Sequence, residues 1–233
     1  MRARRILLSC EHGGNRIPRR YATYFRGAHT ALMSHRGYDA GALWLARWLS
    51  QRWDVPLIVA TTSRLLIDLN RSLHHQQLFS HYSRALTPEK KANAVREIYQ
   101  PHRKGVETAV ARWIARGDSV LHIAVHSFVP VLSGVRRRTD IGLLYDPRRR
   151  GERAFCRRWQ RSLVGITGQW NIRCNAPYRG TTDGLTTALR RCFGPAAYWG
   201  VELEVNQRHL KTRAATQRLA RMLADSLPRF RPL

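Results

Sequence analysis

The chain has 233 residues, 43% of them hydrophobic, and its 41 Lys or Arg residues against 15 Asp or Glu give a formal net charge of +26. This length and apolar share exclude an intrinsically disordered chain and fit one domain spanning residues 1–233. The positive field would attract nucleic acid, an anionic membrane surface or acidic small molecules. Much of the charge comes from arginine clusters within residues 2–5, 136–138 and 148–150.

The sequence carries no signal for a membrane span, for secretion or for a thiolate metal site. No run approaches the roughly 20 apolar residues that cross a bilayer, and the apolar run at residues 6–8 is too short for a secretory core. No two of the four cysteines have a Cys-x-x-Cys spacing. We therefore expect a cytoplasmic protein with reduced thiols and no membrane partner. The oligomeric state stays open.

The first patterned stretch covers residues 6–18. Its short apolar run ends at Glu11 and His12, and Gly13 and Gly14 follow. In α/β proteins a buried strand delivers side chains in this way to its carboxyl end, where open sheets bind ligands. Glycine removes the Cβ, so the backbone can bend sharply and a ligand can approach closely. Taken alone, the stretch could equally be a surface turn with an exposed histidine.

The next segments alternate between helical and extended patterns. The apolar spacing after Asp39 predicts a helix, which the Asp39 carboxylate could cap. Residues 56–62 predict a buried strand that leads into a polar segment at 63–71. A long loop is expected over residues 72–88, with His74 and His75 at the surface. A helix is expected over residues 88–116.

Residues 120–128 form the most strand-like segment of the chain. Successive side chains of a strand alternate between its faces, so His122 and His126 share one face, and His126 lies at the end. His12 and His126 are thus delivered by two separate strand ends. Neutral imidazoles that meet at one rim are typical ligands of a catalytic zinc ion with an open coordination position.

The last predicted strand covers residues 197–206 and places Glu202 and Glu204 on one face. Burying an unpaired carboxylate is costly, so this pair indicates a metal, an arginine partner or a catalytic task. A strand at 140–146 and helices at 151–165 and 210–227 complete the alternation. Such an order predicts an α/β fold with a mostly parallel sheet.

Several of these segments together resemble the N-formylglutamate amidohydrolase family. The matching segments occur in the family's order: 9–18 (SCEHGGNRIP), 38–42 (YDAGA), 63–71 (SRLLIDLNR), 126–128 (HSF), 138–146 (RTDIGLLYD), 175–178 (NAPY), 183–184 (DG) and 202–205 (ELEV). The resemblance implies a relative of the zinc carboxypeptidases. It also implies a three-layer α/β/α, phosphorylase/hydrolase-like fold with a mostly parallel mixed sheet.

The resemblance makes His12 and His126 the ligands of a zinc cofactor. The carboxypeptidase relatives use a His-x-x-Glu pair, but the fourth position here is Asn15, which leaves the third ligand open. Asp39 is the first choice, because a carboxylate suits zinc. Glu11 and Asn15 are the reserves.

The resemblance also suggests how a substrate is held. The Asn70-Arg71 pair resembles the carboxypeptidase dipeptide that binds a substrate carboxylate, and the planar fork of arginine suits bidentate contact with such a group. Arg64 and Arg138 are expected to hold a second carboxylate or the developing oxyanion.

Glu204 fits the general base that takes a proton from metal-activated water, and Glu202 is its competitor for that role. The implied reaction is hydrolysis of the amide bond of an N-acyl acidic amino acid such as N-formylglutamate. Two alternatives stay open. A nucleic-acid-binding protein would explain the charge, and an inactive scaffold of the same fold would explain Asn15.

Overall fold

A six-stranded sheet forms the centre of the computed structural model, which describes residues 3–228; Arg2 of the first arginine cluster lies outside them. In spatial order the sheet reads β2-β1-β3-β8-β6-β7. A separate hairpin contains β4 and β5. The strand bounds are Arg4–Cys10 (β1), Leu57–Val59 (β2), Ser119–Phe128 (β3), Val131–Leu132 (β4), Val135–Arg136 (β5), Ile141–Leu144 (β6), Ile172–Cys174 (β7) and Tyr198–Asn206 (β8).

The sheet is mixed but mostly parallel. Strands β2, β1, β3 and β8 run in one direction, whereas β6 pairs antiparallel with β8 and β7 runs parallel with β6. The carboxyl ends of β1, β3 and β8 therefore meet at one edge. The register sets His126 of β3 beside Glu204 of β8, and Gly142 of β6 opposite Glu204 on its other side. The sequence predicts strands at the positions of β1, β2, β3 and β8, and the structure places all four in this sheet.

Helices cover both faces of the sheet, which confirms the three-layer α/β/α fold. Helices α2, α5 and α7 pack on one face, and α4 and α6 pack on the other. The helix bounds are His29–Leu32 (α1), Ala42–Trp53 (α2), Pro88–Ala94 (α3), Gln100–Ala115 (α4), Arg150–Thr167 (α5), Leu185–Cys192 (α6) and Arg213–Ser226 (α7). No helix within residues 3–228 is long and apolar enough to span a membrane.

Side-chain alternation explains the layers. Leu8 of β1 belongs to the core under α2, α5 and α7, whereas its neighbour Leu7 belongs to the core under α4 and α6. On the first side, Leu45 of α2 and Trp159 of α5 are fully buried. Strand β3 is buried along its whole length, because both of its faces and both of its edges are covered. Six of its ten residues are apolar, and the four polar ones, Ser119, His122, His126 and Ser127, are buried with them.

A third hydrophobic cluster holds the long irregular segments in place. Residues 60–87 contain no helix or strand, yet Leu66, Ile67 and Leu69 are buried in this cluster with Tyr21. The predicted helix over residues 88–116 is interrupted by a π-helical turn, Val95–Tyr99, between α3 and α4. Such turns occur frequently near functional sites.

Gly13 and Gly14 allow the loop after β1 to lie directly on the segment after β2. A Cβ on Gly13 would stand 2.9 Å from the carbonyl oxygen of Ala60, and one on Gly14 would stand 2.7 Å from that of Thr61. Real Cβ atoms do not approach so closely. The glycines are therefore required for backbone packing that positions Glu11 and His12 at the sheet edge.

Candidate active site

Three buried side chains converge at the carboxyl edge of the sheet. His12 follows β1, His126 lies near the end of β3 and Asp39 lies in the loop before α2, and their ligand atoms all lie within 4.8 Å of one another. Oδ2 of Asp39 is 2.9 Å from Nδ1 of His126 and 3.5 Å from Nδ1 of His12. Two imidazoles and a carboxylate are a typical zinc donor set.

Each histidine is supported from behind by a second carboxylate. Nε2 of His12 lies 2.7 Å from Oδ1 of Asp68, and Nε2 of His126 lies 3.1 Å from Oε2 of Glu11. Glu11 in turn contacts Nε2 of His102 at 3.3 Å. A carboxylate on one ring nitrogen fixes the tautomer that leaves the other nitrogen free for a metal. Both Nδ1 atoms face Asp39. That of His12 is buried without a hydrogen-bond partner, whereas that of His126 is hydrogen-bonded to Asp39, and its Nε2 and Oε2 of Glu11 are close without forming a hydrogen bond.

The charged groups of the cluster shift one another's pKa values. Burial by itself would raise the pKa of Asp39, but the neighbouring His12 and His126 hold it well below its usual value. Burial likewise opposes protonation of His126, yet Asp39 and Glu11 raise its pKa well above the usual value. The cluster therefore attracts positive charge. A metal ion binding to these atoms would compete with protons.

The three candidates for a third ligand lie in different places. Asp39 stands between the two histidines, Glu11 lies behind His126, and Asn15 is half-buried, donating to the sulfur of Met33 at 3.1 Å. The expectation that Asp39 caps α2 is wrong. That helix follows a left-handed residue, Gly41, and has no side-chain cap, because the Asp39 carboxylate is directed to the histidines instead.

The cluster forms one wall of a cavity of about 260 Å³. Besides the three clustered residues, its lining contains five of the predicted residues, Arg64, Asn70, Arg71, Glu202 and Glu204. It also contains five for which the sequence suggested no role: Ser127, Tyr178, Arg179, Thr182 and Asp183.

Arg138 lies outside this lining and is exposed. Its neighbour Arg137 lies nearer the cavity, donating to the hydroxyl of Tyr178 at 2.7 Å and covering the ring of that residue. The segments containing Tyr178 and Asp183 matched the family motifs, so the sequence did carry a signal for this side of the cavity. Only the tertiary structure shows that Tyr178 and Asp183 line the same cavity as the two histidines.

The arginines of the cavity differ in how far they are already engaged. Arg64 donates to Oδ2 of Asp68 at 2.7 Å and lies 3.6 Å from Oδ1 of Asp39. Although burial opposes its charge, these carboxylates raise the pKa of Arg64 further. Arg71 donates one bond, 3.0 Å, to the carbonyl of Asp183, and its side chain is 28% exposed. Arg71 therefore retains donors for a ligand, whereas Arg64 chiefly neutralises two acids.

The two glutamates of β8 also differ in their partners. Oε1 of Glu202 accepts a hydrogen bond of 2.7 Å from the hydroxyl of Thr186, whereas Oε2 of Glu204 is buried without a hydrogen-bond partner. Burial raises the pKa of Glu204 to about 8. Glu204 therefore has a free oxygen for a proton beside His126, while Glu202 is held by the start of α6.

Comparisons with known proteins agree with this architecture. The profile of the family described as N-formylglutamate amidohydrolase matches residues 4–210. A gene product of Agrobacterium tumefaciens is 27% identical, with a TM-score of 0.80 over 95% of this chain and 88% of its own. An N-formylglutamate amidohydrolase from Ralstonia eutropha JMP134 is 18% identical, with a TM-score of 0.71 over 97% of this chain and 92% of its own, which shows a shared fold. No curated protein sequence matches the chain.

Proposed function

Because the chain belongs to the N-formylglutamate amidohydrolase family, we propose that it is a zinc-dependent amidohydrolase acting on N-acyl acidic amino acids such as N-formylglutamate. The observation that carries the proposal is the buried, unpartnered Nδ1 of His12, which faces Asp39 together with Nδ1 of His126. An orphaned buried nitrogen is costly unless a ligand satisfies it.

The donor set fits zinc, with His12, His126 and Asp39 as its ligands. When bound, zinc lowers the pKa of a water molecule and polarises a carbonyl oxygen. A hydrogen bond from Asp68 would hold the ring of His12 with its Nδ1 directed at the ion, and the Glu11 carboxylate lies 3.1 Å behind the ring of His126. Arg64 neutralises part of the negative charge of the carboxylates around it.

Glu204 moves the proton in this proposal. Glu204 lines the cavity on the strand next to His126, and its Oε2 atom has no competing hydrogen bond. Its ionised form would be favoured beside a bound metal ion despite the raised pKa, and the carboxylate would then accept a proton from the attacking water and return it to the leaving amine. Glu202 shares the wall but is bonded to Thr186, so we assign it a positioning role.

The acidic substrate is held by arginine. Arg71, with Asn70 beside it, would bind one carboxylate, because a guanidinium group pairs with a carboxylate in two parallel hydrogen bonds. Arg179 lines the same cavity and is exposed, so it takes the role of second clamp that the sequence assigned to Arg138.

The test combines metal analysis with substrate comparison. We expect about one zinc ion per purified chain and release of formate from N-formylglutamate, with much slower release from N-formylleucine, which lacks the second carboxylate. Loss of zinc is expected in His12→Ala and His126→Ala. Zinc-free protein from cells grown with added zinc, or equal hydrolysis of the two substrates, would contradict the proposal.

A further inference from the structure

The positive charge of this protein is concentrated on its surface, because most of its carboxylates are internal. Nine of the 15 Asp and Glu residues are buried. The buried acids are Glu11, Asp39, Asp68, Asp118, Asp140, Asp146, Glu152, Glu202 and Glu204. The active site accounts for several of these acids but for few of the arginines, which leaves the surface charge without a role.

The arginines are distributed unevenly among the helices. Helices α5 and α7 together carry eight arginines and only two acids, Glu152 and Asp225, of which Glu152 is buried and paired with Arg190. The helical segment from α3 to α4 carries six basic residues and three acidic ones. Helices α5 and α7 therefore carry a larger excess of positive charge than the segment from α3 to α4, of which α4 packs on the other face of the sheet.

On α5 the arginines form a row. The inner side of the helix is fixed by buried Phe155, Trp159 and Leu163. Arg150, Arg153, Arg157 and Arg161 are all exposed and repeat every three or four residues, so they lie on the opposite side. At 1.5 Å per residue, neighbours in the row are about 4.5–6 Å apart along the axis.

None of these four arginines forms an ion pair with a carboxylate among residues 3–228. Helix α7 adds exposed Arg218 and Arg221, which line one shallow cavity together with Ile166 of α5. The two helices are in contact, since Nε1 of Trp159 donates to Oγ of Ser226 at 3.0 Å. We call the six arginines, four on α5 and two on α7, the arginine face.

We propose that the arginine face binds the phosphodiester backbone of a nucleic acid. Guanidinium groups pair with phosphate oxygens in bidentate fashion, and a linear row of them suits a linear polyanion. The aromatic side chains of α5 are buried, so none is available to stack on bases. Binding is therefore sequence-independent and salt-dependent. No residue of α5 or α7 lines the active-site cavity, so the two sites are separate.

The proposal is tested with two variants that remove the same charge from different sides. The face variant carries Arg153→Gln, Arg157→Gln and Arg161→Gln. The control carries Lys104→Gln, Arg112→Gln and Arg116→Gln, all exposed and in or directly after α4. Fluorescence anisotropy with labelled single-stranded and duplex 30-mers of mixed sequence is measured over a range of salt concentrations, and thermal unfolding verifies the fold.

We expect the wild type to bind both oligonucleotides. The face variant should bind at least about tenfold more weakly at low salt. The magnitude of its slope of log K against log salt concentration should be about 2–3 smaller than that of the wild type, because each lost phosphate contact removes ~0.7–0.9 from that magnitude. The control should keep most of the slope. Equal losses in the two variants would overturn the proposal. Binding to vesicles of phosphatidylserine and phosphatidylcholine without binding to either oligonucleotide would also overturn the proposal.

Discussion

Asp68 and His12 are joined by a contact of 2.7 Å between Oδ1 and Nε2, and this contact links the two halves of the candidate active site. The same Oδ1 accepts from the backbone N–H of Asn70 at 3.0 Å, while Oδ2 accepts from Arg64 at 2.7 Å. One buried carboxylate thus orients a candidate metal ligand and fixes the start of the candidate substrate clamp. A change at Asp68 should therefore affect both metal and substrate.

Replacing Asp68 with Asn should weaken zinc binding by about 10–100-fold, the usual cost of losing a carboxylate behind a metal-ligating histidine. The measurement is competition with a chelator of known affinity. Asp118→Asn is the matched control, because that buried carboxylate pairs with Arg5 away from the cavity. Equal zinc affinities of the Asp68 variant and the wild type would show that Asp68 does not orient His12.

Glu204→Gln should keep bound zinc and substrate affinity but lower turnover by about 10²–10⁴-fold, because the amide cannot accept a proton. Glu202→Gln is the comparison, and it should lower turnover less, since Glu202 is engaged with Thr186. Turnover and zinc content are measured on the same preparations. If the Glu202 variant loses more activity than the Glu204 variant, the two roles must be exchanged.

Arg71→Lys should raise KM for N-formylglutamate and leave kcat nearly unchanged, because the clamp acts equally on the bound substrate and the transition state. Lysine keeps the charge but cannot form the bidentate contact. Arg138→Lys, at an exposed position outside the cavity, should leave both constants as in the wild type. An unchanged KM in the Arg71 variant would remove that residue from the substrate site.

His122 should make the fold sensitive to acid independently of any metal. It is buried between the hydroxyls of Ser9 and Tyr198, at 2.7 and 2.8 Å, and burial lowers its pKa to about 4. The unfolded chain binds a proton near pH 6.5 and the folded chain does not. Stability is therefore complete above about pH 6.5 and falls as the pH decreases towards 4, by roughly 3 kcal/mol in all.

Urea unfolding of the wild type and of His122→Gln between pH 4.5 and 8 measures this contribution. The variant has no group that titrates at that position, so the difference in free energy of unfolding between the wild type and the variant should shrink as the pH falls. A difference that stays constant over the range would mean that His122 is not the group responsible.

The sequence by itself determined the fold class and the histidine positions along the strands. Strand periodicity depends on residues a few positions apart, so the buried strands and the placing of His126 near the end of β3 follow from local pattern. The alternation of strands and helices predicted an α/β fold with a mostly parallel sheet, the family resemblance predicted the three α/β/α layers, and the structure confirms both. The ordered motifs predicted the family.

Only the tertiary structure decided which side chains from separate loops meet. Asp39 has the sequence context of a helix cap, yet the path of its loop turns it to the histidines. Asp68 lies in an irregular segment with no periodicity to interpret, and Arg179 rather than Arg138 reaches the cavity. His126 and Glu204 are neighbours because β3 and β8 pair in one register. Such pairings depend on how distant segments pack together, which local patterns do not encode.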